Sequence, residues 1–78
     1  MATKLIHGVN VEYDENSETI KSYLYHLENS LSHEEFEKFI EDAKRDPLMK
    51  VHLEDSHGNH FTLEYKNYNS CLLRKRLS

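Results

Sequence analysis

The sequence predicts an α+β domain: a mainly antiparallel sheet of about four strands with two helices packed on one face, in the order β-α-α-β-β-β. Two stretches, Met49 to Leu53 and Phe61 to Tyr65, alternate apolar with polar side chains at the period of a half-buried strand. Between Asn16 and Pro47 the apolar residues recur instead at the spacing of two amphipathic helices. Ser32 with Glu35 three residues on, and Pro47 after the second apolar stripe, supply a start and a stop for the second helix.

Taken in order, the segment from Lys4 to Tyr13, KLIHGVNVEY, carries strand formers. It reads as one strand with Leu5, Val9, Val11 and Tyr13 on one side and a weak point at Gly8; a tight hairpin turning at His7 and Gly8 is the other reading. Asn16 or Ser17 can cap the first helix, whose stripe is Ile20, Tyr23, Leu24, Leu27 and Leu31. The second helix opens on the Ser32 and Glu35 capping box, with Leu31 placed to staple onto Phe36, and it buries Phe36, Phe39, Ile40 and Ala43.

The register of the next two strands follows from parity. A two-residue turn at His57 and Gly58 would pair Leu53 with Thr62 and put the apolar residues on opposite faces. A three-residue loop, Ser56 to Gly58, pairs Leu53 with Phe61, Val51 with Leu63 and Met49 with Tyr65, with Gly58 left-handed. The same register sets Lys50 against Glu64 and Glu54 against His60. Asn67, Tyr68 and Asn69 then form a turn, with Asn69 suited to the left-handed conformation, and a last strand follows with Tyr65 opposite Cys71 and Leu63 opposite Leu73.

At 78 residues and 37% hydrophobic content the chain fits one small domain near the lower limit for a self-sufficient core, so a homodimer or a covering partner is an expectation. A net charge of −4 argues against general attraction to nucleic acid or to anionic membranes. No apolar run approaches the roughly 20 residues of a membrane helix, and the first ten residues lack a signal-peptide core. The single Cys71 cannot form an internal disulfide, which favours a cytoplasmic location.

Six histidines raise the question of metal, and His52, His57 and His60 lie on or beside one hairpin. The register brings only Glu54, His60 and His57 near one another, short of a four-ligand site, so no metal and no cofactor are expected. Catalytic motifs are lacking too: there is no GxSxG, P-loop or HExxH, and Cys71 is expected to be a buried, poorly nucleophilic thiol. The chain is not expected to be an enzyme.

Charge is the informative feature. From Asp14 to Asp42 nine acids face two lysines, whereas from Lys50 to Ser78 five basic residues face three acids. Acids three and four apart on a helix are spaced about 5–6 Å, close to the spacing of nucleic-acid phosphates, so the second helix could imitate DNA. The expected docking residues are Glu28, Glu34, Glu37, Glu41 and Asp42, with Tyr25 an exposed anchor among Ser22, His26 and Asn29. The function expected is a small acidic regulator or inhibitor bound to a basic protein partner. Against this stands a plain solvated face, with ion pairs Glu34 to Lys38, Lys38 to Asp42 and Glu41 to Arg45.

The alternative reading uses the opposite charge. Arg74 and Arg76 point to the open sheet face beside Thr62 and His60, with Lys50 farther along, and together with Lys75 they could hold nucleic acid weakly. Phe61, Leu63 and Tyr65 face inward, leaving no stacking platform, and a frayed, solubilising terminus is the plainer account of these residues.

Overall fold

The computed structural model describes residues 1–67 and 69–76. Its elements are β1 (Ala2–Ile6), β2 (Val9–Tyr13), α1 (Glu18–Asn29), α2 (His33–Arg45), β3 (Lys50–Glu54), β4 (His60–Asn67) and β5 (Ser70–Arg76). The domain is α+β with two helices, and the five strands form one mixed sheet in the order β1-β2-β5-β4-β3. Three neighbouring pairs are antiparallel, and β2 runs parallel to β5, Val11 pairing with Cys71. No described helix is long and apolar enough to cross a membrane.

The strand count differs from expectation because Lys4 to Tyr13 is a hairpin, not one strand. His7 and Gly8 both take positive φ, 49° and 83°, the pattern of a two-residue turn that matches the twist of its flanking strands. Histidine tolerates that region better than most residues, and glycine accepts it freely. Folding back pairs Ile6 with Val9 and Leu5 with Asn10. Ile6 is thereby fully buried, and Leu5, expected inside, is 61% exposed.

Both helices follow their caps. Ser17 Oγ accepts from the Ile20 amide, opening α1, and Ile20, Tyr23, Leu24 and Leu27 are its buried stripe. In α2 Ser32 and Glu35 exchange side-chain to backbone hydrogen bonds of 3.1 and 2.9 Å. Helix α2 buries Phe36, Ile40 and Ala43, while Phe39 and Leu31 are half-buried against the core.

Strands β3, β4 and β5 hold the expected register, including Leu53 with Phe61, Val51 with Leu63, Leu63 with Leu73 and Tyr65 with Cys71. Gly58 and Asn69 have φ of 81° and 59° as their turns require. A bulge between Tyr65 and Asn67 brings Asn67 opposite Ser70, and Tyr68 lies outside the described residues. Met49 departs from expectation. Its carbonyl accepts from the Tyr65 amide, so the pairing position survives, but φ of 59° ends the strand pattern and the side chain is 44% exposed.

The core lies between the helices and the sheet face formed by Ile6, Val9, Val11, Leu53, Phe61, Leu63, Cys71 and Leu73. On the other face Leu72 is also buried, between half-buried Glu12 and Glu64 on the neighbouring strands. That face is otherwise open and carries the polar side chains of β3, β4 and β5.

Candidate functional site

Two surfaces hold the residues that the sequence singles out. The first is the helical layer. Tyr25 projects from α1 with 67% of its surface exposed, and its backbone carbonyl accepts from Asn29 Nδ2 at 3.0 Å. Glu34, Glu37 and Glu41 lie along one side of α2 and, with Glu35 and Lys38, border a shallow depression of about 470 Å³. Asp42 is exposed next to them.

Ion pairing in this layer differs from the four-residue spacing expected. Glu41 lies 3.6 Å from Lys44, Glu37 lies 3.6 Å from His33, and Glu28 is joined to Lys4 of β1 at 3.1 Å. Among the described residues Glu34 to Lys38, Lys38 to Asp42 and Glu41 to Arg45 are not within ion-pair distance. A competing partner accounts for Glu41: Lys44 reaches both its carboxylate and, at 5.2 Å, the face of the Tyr65 ring. At the helix start, hydrogen bonds from the Ser32 backbone and side chain hold the Glu35 carboxyl below its usual pKa.

The second surface is the open face of the sheet. Arg74, Lys75 and Arg76, read from the sequence as a frayed end, are instead strand residues opposite Thr62, Phe61 and His60. With Lys50, His52, Thr62, Glu64 and the turn residues Asp46 and Leu48 they line a groove of about 560 Å³. Direct cross-strand pairing sets His52 against Thr62 and His60 against Glu54. The imidazoles nonetheless meet on the diagonal, His52 Nε2 lying 3.0 Å from His60 Nδ1, a contact between neighbours two positions offset that the register implied but the sequence reading passed over.

A direction follows from donor chemistry. A guanidinium has only donors, so Arg76 Nη1 donates to His52 Nδ1. Neutral His52 then carries its proton on Nε2 and donates to His60 Nδ1, which leaves the His60 proton on Nε2, 3.7 Å from Glu54 Oε1. His57 stands apart in the loop, exposed, its amide donating to Asp55 Oδ1 at 2.9 Å. Among the described residues no group of three or more His, Cys, Asp or Glu side chains is arranged to hold a metal ion.

Cys71 is buried, and burial pushes its thiol up to about 11, with Lys44 opposing. Such a thiol stays protonated near neutral pH. Comparison with protein-family models, with curated proteins and with solved structures finds no match to this chain.

Proposed function

We propose that this chain is a protein-binding regulator or inhibitor that docks its acidic helical surface on a basic, nucleic-acid-binding partner and competes there with the nucleic acid. One observation carries the reading: Glu34, Glu37 and Glu41 stand exposed along α2, and the internal ion pairs expected to absorb Glu34 and Asp42 are not formed among the described residues. Tyr25 supplies an exposed ring on the neighbouring helix for a desolvated anchor. Charge of this kind speeds association and makes it sensitive to salt.

The test compares the full chain with the charge-reversed variant E34K/E37K/E41K in affinity purification at low and high salt, followed by displacement of nucleic acid from the recovered partner. Partners lost on charge reversal and on raising salt, and whose nucleic acid this chain displaces, support the reading. Recovery indifferent to both changes ends it.

A further inference from the structure

We propose that the open-face groove is a binding site for a phosphate monoester, whose terminal dianion sits between Lys50, Arg74 and Arg76. This site lies on the opposite side of the sheet from the acidic helices and is independent of their role.

Three cations of the open face line the groove, Lys50, Arg74 and Arg76, against two acids, Asp46 and Glu64, while Lys75 stands opposite Phe61 on the other face of the sheet. Both acids are already engaged. Asp46 Oδ2 accepts the backbone amides of Leu48 at 2.8 Å and Lys50 at 3.3 Å, fixing the turn into β3. Glu64 Oε1 is 3.2 Å from Lys66 Nζ, and its side chain is only 20% exposed. Among the described residues no carboxylate is within ion-pair distance of these three cations. The three cations therefore share one concavity without a direct ion pair, and an entering anion relieves their mutual repulsion.

The hydrogen-bond chain prepares Arg76 for that anion. Its described partner is the neutral His52 ring, so the guanidinium is steered without losing its charge, and its remaining donors stay available for a forked contact. Thr62, between His52 and Arg74 in the register, adds a hydroxyl on the groove floor. The volume of about 560 Å³ falls in the range of small-ligand sites.

The chemistry favours a terminal phosphate over a polymer. A monoester carries about −1.5 to −2 at pH 7, against −1 for each diester, so three converging cations discriminate between them. Single-strand binders add aromatic platforms for stacking, and here the rings of Phe61 and Tyr65 belong to the helix-covered face.

The experiment is a ¹H–¹⁵N NMR titration of the full chain with phosphoserine, with dimethyl phosphate and with an oligothymidylate, chloride holding the ionic strength constant. Phosphoserine is expected to give saturable shifts confined to the amides of Lys50 to His52, Thr62 and Arg74 to Arg76, at a midpoint about tenfold or more below that of dimethyl phosphate. The R74A/R76A variant is expected to raise that midpoint about tenfold, and R74K/R76K, which keeps the charge and tests the result if the alanine variant misfolds, to raise it less. Shifts that are scattered, or unsaturated at about 10 mM, overturn the proposal. Saturation by the oligothymidylate without saturation by phosphoserine also overturns it, in favour of a nucleic-acid backbone.

Discussion

Tyr23 of α1 lies flat on Phe61 of β4, the ring centroids 4.3 Å apart and the planes 4° from parallel. This pair ties the first helix to the sheet at the centre of the core. Burial, with the nearby Asp55 carboxylate adding to it, pushes the Tyr23 phenol up to about 12, and burial raises Cys71 to about 11.

Groups whose folded pKa is raised lend full stability below their unfolded value and lose it as pH rises through the folded one. Stability is therefore expected to be level up to about pH 9 and to fall steadily from there to about pH 12. Urea unfolding followed by circular dichroism measures the fall. In the phenolate absorbance Tyr23 should titrate late, and that late component should vanish from the curve in Y23F.

Acid acts through the opposite sign. Hydrogen bonds from the Asn59 side chain and from the Asn59 and His57 amides hold Asp55 below its usual pKa, and those from Ser32 do the same for Glu35. Depressed carboxyls contribute stability above their unfolded values, and that contribution disappears as pH falls through the folded values. The unfolding midpoint should hold down to about pH 5 and drop below about pH 4, less steeply in D55N and in E35Q. A midpoint that rises on acidification would contradict these contacts.

The first hairpin makes a paired prediction. Ile6 to Ala removes a fully buried side chain and should cost about 2–5 kcal/mol, whereas Leu5 to Ser, on the exposed side, should cost less than about 0.5 kcal/mol. Chemical denaturation of the two variants separates a hairpin from a continuous strand, for which the order would be reversed.

Gly8 has open space around its absent Cβ but a φ of 83°, so Ala there meets strain rather than a clash. Gly8 to Ala should cost about 1 kcal/mol, and Gly8 to Asn less, since Asn visits the left-handed region more readily. Thermal unfolding checks the ranking.

His52 should be found protonated on Nε2 at pH 8, because Nδ1 accepts from Arg76. Long-range ¹H–¹⁵N spectra distinguish the two neutral tautomers. In R76A the preference for Nε2 over Nδ1 should weaken.

What the sequence made legible was local. The alternation in β3 and β4, with the parity of a loop ending at Gly58, was enough to align Leu53 with Phe61 and then Leu63 with Leu73. Ser32 and Glu35 announced α2 because a capping box is written within four residues. The misses were of other kinds. At His7 and at Met49 a left-handed non-glycine residue redirected the chain, and side-chain type announces that weakly. The parallel pairing of Val11 with Cys71 joins segments far apart in sequence, where no short-range signal exists. The His52 and His60 contact was implicit in the register but required the offset neighbours to be considered. Of the candidate surfaces, the exposure of Tyr25 and of the α2 acids was readable from helical spacing, whereas the concavity around Arg74 and Arg76 depended on β5 being ordered to Arg76.

Strand β5 follows β1 to β4 in the chain and yet occupies the middle of the sheet. While residues 70–76 are still inside the ribosome, the β1 and β2 ribbon and the β3 and β4 ribbon have nothing to join them, and each presents bare hydrogen-bonding edges. The strands that precede it must therefore emerge in an unclosed, adhesive form, and closure waits on the emergence of residues 70–76.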